Sequence, residues 1–77
     1  MLKKFELSDP NSCLNKAGDD ELIFVLRAHD VASPATVYAW ISERIRLGKN
    51  GPEDKQIGEA MDWAEAVEEI HRAKESV

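Results

Sequence analysis

Arg27, His29 and Asp30, followed by Ser33-Pro34, form the one constellation in this chain with chemical promise. A cation, an imidazole and a carboxylate stand at the end of the most apolar run, just before a residue pair that suits a helix start. The first amides of a helix have no intrahelical partner. A cation beside them makes a plausible pocket for an anion or a phosphate. The same residues also have a plain structural use. Asp30 can cap a helix or pair with Arg27, and His29 can cover a helix end. Both readings stay open on the sequence.

Other chemistries find less support. The soft donors Cys13, His29 and His71 are far apart in sequence, with no paired cysteines and no two histidines at helical spacing, so no metal site is expected. Cys13 would need a base brought beside it by folding to act as a nucleophile. A small apolar cysteine on a helix face is the expectation. No glycine-rich phosphate loop, serine elbow or hydrolase pattern is present. The expectation is a protein that is not an enzyme and has no cofactor.

Two surface features suit binding instead. Tyr38 falls off the Val37-Ile41 stripe, and an exposed aromatic near a cation such as Arg44 can stack on a base or anchor a partner. A solitary surface tyrosine is the commoner case. Glu65 and Glu69, with Glu59 and Asp62, form an acidic helix face that is either solvated or turned toward a basic partner. Lys55, Arg72 and Lys74 interrupt it and weaken a nucleic-acid decoy reading.

The elements that must hold these residues are helical by pattern. "SDPNSCLNKAG" predicts a helix over residues 10–17, capped by Ser8 or Asp9, started by Pro10 and ended by Gly18. "DDELIFVLRAHD" is ambiguous. Its β-branched and aromatic content favours a strand, whereas acids at its start and the Leu22, Ile23, Leu26 spacing favour a helix. No other segment reads as a strand, and a lone strand leaves its backbone unpaired. A short buried helix over 22–29 is therefore expected; the alternative is a βαα arrangement with a strand pair between two copies. "SPATVYAWISERIRLG" predicts a third helix from the Ser33 cap to Gly48, and the final helix runs from Pro52 or Glu53 to near Glu75. Ile57, Ala60, Met61, Ala64, Val67 and His71 form its stripe. Trp40 and Trp63 are expected as the main core or subunit-contact anchors.

The fold class is thus an all-α small helical bundle, one domain over residues 1–77, with residues 1–9 as a flexible tail. With 77 residues the core is near the marginal limit, and a single cysteine supplies no internal disulfide. Homo-oligomerisation is the expected remedy. The longest apolar run is five residues, so no membrane span or leader core is expected, and the location is cytoplasmic.

Charge narrows the partners. Residues 1–52 balance seven basic groups against seven acidic ones, while residues 53–77 carry Lys55, Arg72 and Lys74 against eight acids and hold the whole net charge of -5. That segment repels a phosphate backbone, so general nucleic-acid binding is not expected.

The stretches "DDELIFVLRAHD", "ASPATVYAW" and "EAMDWAEAVEEI" resemble a group of small phage and prophage-encoded proteins. Their pattern is an acidic start, FVLRA, a variable residue and Asp, then Ala-Pro, a helix with a tryptophan, and a final helix. Leu22 stands where relatives carry proline, and Ser33 separates Ala32 from Pro34. The resemblance covers residues from about 12 to 70 and implies a phage context without catalytic residues. In that context three functions are expected to compete. One is a protein that opposes a host function, such as antiviral defence, by binding a host protein. The second is an oligomeric sponge for a signalling nucleotide, and the third is a structural or assembly accessory.

Overall fold

A computed structural model describes residues 2–75. It is all-α: α1 (Lys3–Ser8), α2 (Cys13–Lys16), α3 (Ser33–Arg46) and α4 (Lys55–Glu75), with no strand among the described residues. None of these helices is long and apolar enough to cross a membrane.

Helices α3 and α4 form an antiparallel hairpin that contains the core. Ile41 on α3 meets Ile57 and Ala60 on α4, with Val37, Tyr38 and Met61 packed against them. Ala64 and Val67 continue the buried stripe, and Ala64 has no exposed surface. Small side chains at 60 and 64 let the two backbones approach closely. The predicted α4 stripe is therefore the buried one, with Met61 and His71 half-buried at its edges. Glu59, Asp62, Glu65 and Glu69 all face solvent.

The link between them is built from sequence-legible parts. Leu47 ends α3, and Gly48 takes the left-handed conformation at φ 72. Its amide donates to the Ile45 carbonyl (3.0 Å), and that of Lys49 reaches back to Arg44 (3.0 Å), so the last carbonyls of α3 are satisfied. Asn50 then ties the two helices together. Its side chain accepts from Arg44 Nε (2.6 Å) and donates to Asp54 Oδ2 (2.9 Å), just ahead of α4. The Asn50 bond to Asp54, and after it one from the Gly51 amide (2.9 Å), hold the Asp54 carboxyl below its ordinary value.

The N-terminal part departs from expectation in three ways. Residues 3–8 are helical where a flexible tail was expected. The two-turn helix over 10–17 is only the single turn of α2, and its cap is Ser12, not Ser8 or Asp9. Asp9 instead accepts from the Asn11 amide at 2.9 Å, a local bond that competes with helix. Ser12 Oγ donates to the Glu6 carbonyl (2.6 Å), and Asn15 Nδ2 lies within bonding distance of the Glu6, Leu7 and Asp9 carbonyls. Those side chains fasten the otherwise orphaned end of α1.

The third departure is the largest. The short buried helix over 22–29 does not form: residues 21–27 have no regular structure. Leu22 is 98% exposed, Phe24 86%, Val25 69% and Ile23 55%, and only Leu26 is half-buried. The apolar run is not core. Ile41, Ile57, Ala60, Ala64 and Val67 already close the hairpin seam, and the run lies outside it. Trp40, 39% exposed, is likewise not a core anchor; its ring lies under the Arg44 guanidinium at 5.7 Å. Trp63 is half-buried beside the N-terminal segment.

Candidate functional site

The collar at the start of α3 is a closed set of local bonds. The Asp30 amide donates to the Arg27 carbonyl (3.0 Å), turning the chain. Asp30 Oδ1 then accepts from the Ala32 amide (2.8 Å), while its carbonyl accepts from both the amide (3.0 Å) and the hydroxyl (2.8 Å) of Ser33. Ser33 is fully buried and lies one position inside the helix, so it does not cap α3 as expected; Ala32 holds the cap position with no side-chain bond. Pro34 has no amide to offer. Asp30 thus places a carboxylate beside the helix start, where an anion would have to sit. Arg27 and His29 are exposed. Of the residues grouped from the sequence, Asp30 and Ser33 come together, and their bonds turn the chain into α3.

One bond fastens this collar to the far helix. His71 Nε2 lies 2.7 Å from the Ala28 carbonyl, across 43 residues of sequence. It clips the downstream end of the apolar run to α4.

Tyr38 is half-buried rather than exposed. Its ring packs on the core, and its hydroxyl donates to Glu68 Oε1 in a short bond. That bond, with desolvation and the negative charges of Glu68 and Glu65, pushes the phenol up to about 12. Tyr38, Glu68, His71, Pro34, Val31 and Arg72 border a shallow groove of about 360 Å³. Glu68 was missed by sequence reasoning, although a signal existed: it follows buried Val67 and lies four residues past Ala64, hence on the edge of the stripe. Arg44 is engaged elsewhere, with Trp40 and Asn50.

On the acidic face, Glu69 accepts from Arg72 (2.8 Å) and Glu59 lies 3.8 Å from Lys55. These pairs are exposed and contribute little to stability. Among the described residues Glu65 has no ion-pair partner. A wider cavity of about 620 Å³ separates α4 from the N-terminal pair, lined by Phe5, Glu6, Asp9, Cys13, Asp62 and Trp63 among others. Cys13 is exposed with a free thiol. Among the described residues no group of three or more His, Cys, Asp or Glu side chains is placed to hold a metal ion.

The fold and this surface define a small all-α protein built on a two-helix seam, with an apolar segment outside it. No protein-family model matches the chain, and no curated protein or solved structure matches it at a significant level.

Proposed function

We propose that this is a non-enzymatic binding protein of the phage type that acts in the host cytoplasm by holding a host protein and so opposing its function. One observation supports the reading above the others. Leu22, Ile23, Phe24 and Val25 expose large apolar side chains in sequence, on a segment with no regular structure. A contiguous exposed apolar patch with polar flanks is characteristic of an association surface. Glu65 and Glu69 on α4 supply a second, charged contact that favours a basic partner. The resemblance to small phage-encoded proteins supplies the biological setting.

The experiment is recovery of the tagged chain from host cells after brief cross-linking, with stoichiometry read by quantitative mass spectrometry. The expected result is one host protein at a fixed ratio, lost in the Phe24→Asp variant and weakened in the Glu65→Lys, Glu69→Lys double variant. Recovery of the chain with no host protein at any fixed ratio refutes the proposal.

The nucleotide-sponge alternative has no comparable support. Asp30 takes the Ala32 and Ser33 amides at the helix start, and Glu68 lines the adjoining groove.

A further inference from the structure

Between the turn closed by the Glu21 amide on the Gly18 carbonyl (3.0 Å) and the turn closed by Asp30 on Arg27 (3.0 Å), no amide or carbonyl of residues 22–26 has a hydrogen-bond partner among the described residues. The side chains there are Leu, Ile, Phe, Val and Leu, with high strand propensity. Five residues is an ordinary strand length. Such a segment is a template for pairing with another strand.

The flanking charges say which strand. Acids Asp19, Asp20 and Glu21 precede the run, and Arg27 and His29 follow it. An antiparallel pair of identical segments centred on Phe24 sets Glu21 directly opposite Arg27 of the second copy, twice by symmetry. Leu22 then meets Leu26, Ile23 meets Val25, and Phe24 meets itself. Every directly opposed pair from 21 to 27 is apolar with apolar or acid with base, which stabilises a ladder. Shifting the register by one residue sets Leu22 against Arg27 or Glu21 against Leu26. A parallel, in-register pair sets Glu21 against Glu21 and Arg27 against Arg27, which repel.

We infer that residues 22–26 pair antiparallel with the same segment of a second copy, with Phe24 on the two-fold axis and Glu21–Arg27 pairs closing both ends. This inference rests on the reading of the apolar run as an association surface and deepens it: a second copy takes the backbone edge of the run, and the apolar face of the paired run is what the host protein meets. The interface is isologous and closed, so it produces a dimer rather than a filament. Alternation puts Leu22, Phe24 and Leu26 of both copies on one face of the ribbon, a six-residue apolar layer. The clip from His71 to the Ala28 carbonyl holds the end of each strand against its own hairpin. The run is exposed in the single chain because the surface that covers it belongs to another molecule.

The test is sedimentation and native mass spectrometry of the full chain. The expected result is a dimer at micromolar concentration whose Kd rises roughly tenfold or more in Glu21→Arg and in Arg27→Glu, since each reversal creates two like-charge contacts. The double variant returns it to near the starting value. These residues are exposed, so the variants fold. In a Cys13→Ser background, Phe24→Cys is expected to lock into a disulfide dimer on mild oxidation. Ile23→Cys stays largely unlinked alone and cross-links when mixed with Val25→Cys, because only directly opposed positions lie within disulfide reach. A chain that is monomeric at tens of micromolar overturns the inference. So does a dimer indifferent to both charge reversals, or a Phe24→Cys variant that never cross-links. A monomer that still captures a host protein through Phe24 would leave the binding function standing and give this surface to that host protein. A charge-swappable dimer that captures nothing would do the reverse.

Discussion

The Tyr38 hydroxyl donates to Glu68 across the α3–α4 seam, joining residues 30 apart in sequence at the upper edge of the core. It is the polar counterpart of the Ile41 contact with Ile57 and Ala60 lower down. The pair fixes how the two helices are aligned, since sliding by one turn would separate them.

Tyr38 is the single tyrosine of the chain, so its titration can be followed without ambiguity. Ultraviolet difference absorbance should place its midpoint at about 12, against an ordinary 10.0. Folding raises this phenol, so the stabilising contribution is complete below pH 10.0 and is lost as pH climbs through about 12. Glu68→Gln should bring the midpoint down toward the ordinary range. A midpoint at the ordinary value in the unaltered protein would show that the bond is not made in solution.

Asp54 behaves in the opposite sense. Its carboxyl is held low by the Asn50 and Gly51 bonds, so its contribution is complete above its ordinary 3.8 and is lost as pH falls through the depressed value. Carboxyl chemical shifts should show Asp54 titrating below the usual range, and Asn50→Ala should move it upward. The same substitution removes the tie from Arg44 to the start of α4.

The core is small enough for one truncation to be decisive. Ile41→Ala removes a side chain that is 4% exposed and should lose about 2–5 kcal/mol. A single core of this size rarely supplies more than about 3–5 kcal/mol, so urea melts followed by circular dichroism should find the variant largely unfolded. Phe24→Ala should leave the stability of the isolated chain within about 0.5 kcal/mol. Equal losses from the two would contradict the placement of the apolar run outside the core.

Gly48→Ala should cost about 1 kcal/mol, because an L side chain resists the left-handed conformation. An added methyl there meets nothing within 4 Å, so the loss comes from backbone strain alone. Thermal melting should fall without any change in helix content. An unchanged melting temperature would mean that the turn readjusts.

The long helices were legible because their signals are local. Ser33-Pro34, the Val37-Ile41 spacing, Gly48 and the Ile57-to-Val67 stripe each act within one or two turns, and the hairpin follows from them. Residues 22–26 were not legible. A strand-prone run with helix-like flanks is settled by what lies next to it, and the hairpin core has no vacancy for it. Within one chain neither the helix nor a strand forms there. The helix α1 escaped notice because its end is satisfied by Ser12 and Asn15, which approach only after the turn at Asp9 has formed. Asp30 was readable as a helix-start residue, and that is its use. The partner of Tyr38 depends on how the two helices are aligned, and Trp40 stays out of the core of the chain because size alone does not decide burial. Beside it Arg44 offers a cationic lid that lets the indole stay wet.

The clip between His71 and the Ala28 carbonyl has one more implication. All of the buried α4 residues that meet α3, from Ile57 to Val67, precede His71 along the chain. A protease nick or a premature stop after Ile70 would leave the seam its apolar contacts and the Tyr38–Glu68 bond while unfastening the loop some forty residues upstream. The fold of the hairpin and the placement of residues 22–26 can therefore be separated by trimming α4 by about a turn, and the far end of the molecule acts as a latch on a surface it does not itself form.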